Sequence, residues 1–137
     1  MSFAGVRNAL DQYSRNAVQT GVESASPHRL IQMLMEGALG KIAAAKGLME
    51  RGEIQAKGEQ IGSAISIIDG LKASLDKEKG GDIARNLEDL YIYMERRLLE
   101  AHSQNDVSIL DEVMDLLKEL KEAWDAIGEQ VKHEPAA

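Results

Sequence analysis

The chain has 137 residues, 44% hydrophobic and 28% charged, which suits one globular domain with a real core and is too short for two. It contains no cysteine, so disulfide scaffolds, thiolate metal sites and cysteine nucleophiles are excluded. The net charge of −7 has no compensating basic stripe: the longest basic cluster, Arg96-Arg97, is flanked by Glu95 and Glu100, which argues against nucleic acid as a partner.

Aromatic residues make up only 4% and there are two prolines, Pro27 and Pro135, a composition that favours helices over sheet. No run approaches the roughly 18 apolar residues needed to span a bilayer. Met1 to Leu10 lack the basic-then-apolar pattern of a secretory signal. The expectation is a protein that stays in the cytoplasm and does not insert into membranes.

Residues 1–25 form an N-terminal segment in which Phe3, Val6, Leu10 and Tyr13 recur at helical spacing, enough for a short amphipathic helix lying on the rest. The first long helix opens at Ser26-Pro27, an N-cap followed by proline at the first helical position, where its missing N–H costs nothing. Its stripe is Leu30, Ile31, Leu34, Ala38, Ile42, Ala45, Leu48 and Met49, and Gly52 stops it. The second helix carries Ile54, Ile61, Ala64, Ile65, Ile68, Leu71 and Leu75, with Gly80-Gly81 as the expected turn. The third, from about Asp82, presents Ile83, Leu87, Leu90, Tyr91, Met94, Leu98 and Ala101. Asn105 or Asp106 caps the fourth, whose stripe is Leu110, Val113, Leu117, Leu120, Trp124, Ile127 and Val131.

Short connections make consecutive helices antiparallel. The fold predicted is therefore all-α: an antiparallel up-down-up-down four-helix bundle over residues 26–131, with the N-terminal segment packed on it and a disordered tail at 132–137.

Catalytic chemistry has nothing to stand on. No glutamate has a histidine three residues later, the pairing a di-iron bundle requires, and His28, His102 and His133 read as surface residues at helix ends and tail. No metal, cofactor or catalytic residue is expected, and the protein reads as a non-enzyme.

Residues on the wrong face are more informative. By helical wheel Ile67 falls opposite the second helix's core stripe, among the small Ser63, Ser66, Gly70, Ala73 and Ser74, where lysine and glutamate would be better helix formers. Tyr93 falls on the polar face of the third helix and Tyr91 at the core edge, while Met33, Met35 and Leu39 broaden the apolar arc of the first. The chain has more apolar surface than its own core consumes, and a groove for an apolar partner segment would use it. The residues expected to bind that partner are Leu10, Tyr13, Met33, Ser63, Ser66, Ile67, Gly70, Ser74, Tyr91 and Tyr93.

The order and intervals of four strings carry a resemblance. Ser26-Pro27-His28-Arg29-Leu30-Ile31-Gln32-Met33-Leu34-Met35-Glu36-Gly37-Ala38-Leu39 resembles the opening of the FliS family, the flagellin-specific export chaperones. Gly80-Gly81-Asp82-Ile83-Ala84 with Leu87, Leu90 to Met94, Leu98 and Ala101 resembles its third helix. Tyr13 matches its N-terminal tyrosine, and Asn105-Asp106 through Trp124 its last helix. Met35-Glu36 stands where the family usually has Tyr-Asp.

The resemblance implies a cytoplasmic chaperone for the C-terminal segment of flagellin, one that prevents premature polymerisation and hands its client to the export gate of the flagellar type III secretion system. It also implies that the N-terminal segment can occupy part of the client's groove. The free protein is expected as a monomer or weak homodimer. The alternative is a structural or adaptor bundle that self-associates or binds a different secretion client.

Overall fold

The computed structural model describes residues 25–133. Four helices follow one another: α1 (Pro27–Glu50), α2 (Ile54–Ala73), α3 (Lys77–Gln104) and α4 (Val107–His133). Each packs on its neighbours in sequence, and α4 closes the ring against α1; the backbones of the diagonal pairs α1/α3 and α2/α4 stay apart. This is the square, up-down-up-down bundle expected from the short connections.

The starts and stops have local causes. Ser26 Oγ accepts the Arg29 N–H (3.1 Å) with Pro27 at the first helical position. Gly52, at φ +74°, takes the left-handed conformation that ends α1. Asn105 does the same after α3, and Asp106 then caps α4 by accepting the Ser108 N–H (2.9 Å).

The core runs through all four helices: Leu34, Ala38, Ile42 and Ala45; Ile61, Ala64, Ile68 and Leu71; Tyr91, Met94, Leu98 and Ala101; Leu110, Val113 and Leu117. Two expectations are corrected here. Ile67 is 3% exposed and belongs to this core. It lies three residues after Ala64 and four before Leu71, so it shares their face. Being packed on both α1 and α3, α2 buries an arc wide enough to take in Gly70 too. Gly80-Gly81, in turn, is not the connection between α2 and α3. Ser74 to Asp76 make that turn, Asp76 accepts the Lys79 N–H (3.1 Å), and Gly81 sits inside α3 as a kink at φ +54°, ψ −129°. Only glycine takes that backbone readily. The Lys77–Glu88 ion pair (2.7 Å) spans the kink and ties the first turn to the rest of the helix.

One buried charge is absent from the sequence pattern. Lys57 is 2% exposed, with Nζ donating to the His102 carbonyl (3.2 Å) and to Asn105 Oδ1 (2.8 Å). Its ammonium thus satisfies a carbonyl at the C-terminal end of α3, where helix carbonyls lack intrahelical donors and a cation is favoured. Lys57→Met keeps the apolar stem and removes the donor. Urea unfolding should show a loss of about 1–3 kcal/mol, the cost of leaving buried acceptors unpaired.

Candidate functional site

At the end of the bundle where α1 and α3 begin and α2 and α4 finish lies an open cleft of about 540 Å³. One wall is Pro27, His28, Ile31 and Met35 of α1, and the opposite wall is Gly80, Ile83, Ala84, Leu87 and Tyr91 of α3. Leu120, Trp124 and Ile127 of α4 close one side; Ser74, Leu75 and Asp76 close the other. Polar groups are few, which is the usual make-up of a site that takes an apolar ligand.

Two of its residues reverse their expected placement. Ile83 and Ile127 continue the core stripes of α3 and α4, yet are 73% and 47% exposed. Both lie past the level at which the four helices fill the interior, so the apolar period outlasts the core and lines the cleft. The Gly81 kink sets the direction of the α3 turn that borders it.

The α1–α4 wall is held by long-range contacts. The His28 ring stacks on the Trp124 indole (centroids 4.6 Å apart, 9° between planes), and Trp124 Nε1 donates to the His28 carbonyl (3.0 Å). Gln32 Nε2 donates to Asp125 Oδ1 (2.7 Å), while Lys121 pairs with Asp125 (2.8 Å). Hydrogen bonding to Lys121 holds the Asp125 carboxyl below the usual carboxylate range. The expectation that His28 is a surface residue is therefore corrected: it is half-buried, because α4 supplies a flat aromatic partner for it.

Of the residues expected to bind a partner, the structure brings Ser74 and Tyr91 into the cleft. Ser74 donates its hydroxyl to the Leu71 carbonyl, and Tyr91 is buried. Met33 packs half-buried beside the core, and Ser63 and Ser66 lie on α2 outside the cleft. Ile67 and Gly70 are interior. Tyr93 is exposed at the α3–α4 face, its hydroxyl donating to Glu112 (2.7 Å), which also accepts from Arg97. Leu10 and Tyr13 lie outside the described residues. Most of the cleft lining was not expected, Ile83, Ile127, Trp124 and His28 among it; surplus apolar period near helix ends was the signal for the first two.

Burial pushes the Tyr91 hydroxyl up to about 12 from its ordinary 10. The folded state therefore keeps a proton that the unfolded chain loses. This stability is fully present below pH 10 and declines as the pH climbs from there toward 12. Tyr91→Phe should flatten that alkaline fall in melting temperature and remove the latest phenolate transition from an absorbance titration.

Comparison with known proteins identifies the class. The sequence model of the family described as Flagellar protein FliS matches residues 9–131. The chain is 52% identical over 120 residues to the flagellar secretion chaperone FliSB of Pseudomonas aeruginosa, covering 88% of this chain and 95% of that one. It is 48% identical over 122 residues to the flagellar secretion chaperone FliS of Salmonella typhimurium, covering 88% and 90%. With the Vibrio cholerae chaperone of the same name it shares 39% over 132 residues, covering 96% and 97%. The architecture is that of a helical-bundle chaperone; the chain belongs to the FliS family of flagellar secretion chaperones. Among the described residues no helix is long and apolar enough to cross a membrane.

Proposed function

We propose that this protein works in the cytoplasm by binding the C-terminal region of flagellin in the cleft at the α1/α3 end of the bundle, without catalysis. The observation that carries this is an apolar cleft whose lining includes the exposed Ile83 and Ile127, surface that the fold itself does not use. A flagellin terminus is built to polymerise, and a chaperone that covers its apolar face until transfer to the export gate blocks that route. Relatives named as flagellar secretion chaperones support the reading.

The segment bearing Phe3, Val6, Leu10 and Tyr13 leads into Pro27 at the rim of the cleft. In this proposal it stands in for the client and leaves when flagellin arrives. Deleting the residues before Val18 should then raise client affinity; unchanged affinity would sink that part. The whole reading is tested by calorimetric titration with a C-terminal flagellin peptide. One-to-one binding with a negative heat-capacity change is expected, and no binding to the folded protein would refute it.

A second reading, an adaptor that pairs with its own kind, draws on Ile92 and Leu99, exposed on α3 outside the cleft. A mass that rises with concentration would favour it.

A further inference from the structure

The wall of the cleft contains a polar atom in an unfavourable place. His28 Nε2 is buried with no hydrogen-bond partner among the described residues. It faces α4 at Gly128, where a Cβ would come within 2.2 Å of that nitrogen and within 2.8 and 2.9 Å of two ring carbons. A glycine at this point of α4 is what lets the imidazole lie flat against Trp124. The stack is therefore a closed arrangement that carries the cost of a desolvated, unpaired nitrogen.

The backbone is fixed separately. Trp124 Nε1 holds the His28 carbonyl, so the ring can swing away while α1 stays docked on α4. Since His28 and Trp124 both line the cleft, a swing of the ring outward to solvent would widen it and return Nε2 to water.

We propose that His28 and Trp124 form a clasp that opens when the client enters, with Gly128 as the residue that permits the closed state. The proposal rests on the cleft being the client site. Binding selects the open arrangement, and its apparent affinity is reduced by the fraction of molecules that are closed. His28 is thus a positioning residue whose side chain tunes affinity through the width of the cleft.

Two substitutions push the clasp in opposite directions. His28→Phe keeps an aromatic ring on Trp124 and removes the orphaned nitrogen; it should raise the melting temperature and weaken binding of a tryptophan-free C-terminal flagellin peptide on the order of tenfold. Gly128→Ala, a better helix former, fills the space of the ring; it should tighten binding several-fold. Trp124 is the one tryptophan of the chain, so its emission reports the stack directly. In the wild-type protein the emission should shift on adding peptide, and in Gly128→Ala it should already be shifted beforehand. Ile83→Glu serves as the control for the site. If it abolishes binding while neither clasp variant changes affinity, the clasp is static and the proposal is overturned. Weaker binding by Gly128→Ala with its emission already shifted overturns it too, and this arm stands even if His28→Phe fails to fold. If Ile83→Glu binds normally, it is the assignment of the cleft that fails, and the clasp proposal goes with it.

Discussion

Replacing Ile83 by glutamate should lower affinity for a C-terminal flagellin peptide about a hundredfold or more while leaving the fold intact. The side chain is 73% exposed, so nothing in the core depends on it, and surface substitutions of this kind change stability by about 0.5 kcal/mol or less. Bound client would cover it. Losing a buried isoleucine contributes about 1.5–3 kcal/mol. A carboxylate enclosed with the client in a cleft lined mainly by apolar side chains adds a desolvation cost on top, which Lys79 at its edge offsets only in part. At about 1.4 kcal/mol per factor of ten, the sum exceeds two decades. Ile83→Gln, which lacks the charge, should fall between wild type and glutamate. Calorimetry gives the affinities, and circular dichroism with a thermal melt checks the fold. Wild-type affinity for the glutamate variant would place the client elsewhere.

Leu98→Ala should do the reverse, costing about 2–5 kcal/mol of stability while leaving the binding of folded molecules nearly untouched. Leu98 is fully buried among the core residues of α3, roughly two turns beyond Tyr91, the last α3 residue to line the cleft. The shortened side chain loses transfer energy and leaves a void that a close-packed interior fills only in part. Small domains are stable by about 5–15 kcal/mol, so the urea midpoint should drop visibly without abolishing folding. The two variants together separate the surface that binds from the interior that holds it.

The helices themselves were legible because their apolar residues recur every three or four positions and because Ser26-Pro27 and Gly52 have local reasons to start and stop a helix. The family, too, was legible from ordered strings. What the sequence could not convey was tertiary. A Gly-Gly pair signals a turn wherever it occurs, but Asp76 caps the chain earlier and the same pair becomes a kink inside α3. Ile67, by contrast, was legible in its spacing of three from Ala64 and four to Leu71, and only the width of the buried arc of α2, covered on two sides, was not. His28 and Trp124 are 96 positions apart, and no periodicity within either helix announces that they meet. Lys57 reads as an ordinary surface lysine until the end of α3 is placed over it. The cleft was visible only as surplus: Ile83 and Ile127 continued stripes that the core had no room to bury.

The ring of helices also has an order of assembly built into it. Three of its four seams join neighbours along the chain, and such local pairings close short loops at little entropic cost. The seam between α1 and α4 joins the two ends of the bundle and must wait for the longest loop to close. That seam carries His28, Trp124, Gln32 and Asp125 at one end and the Lys46–Asp111 ion pair at the other, so the wall proposed to face the client is expected to be among the last parts to form and the first to exchange its amide hydrogens. A chaperone arranged this way keeps its least settled seam beside the proposed client cleft, with the other three seams already joined.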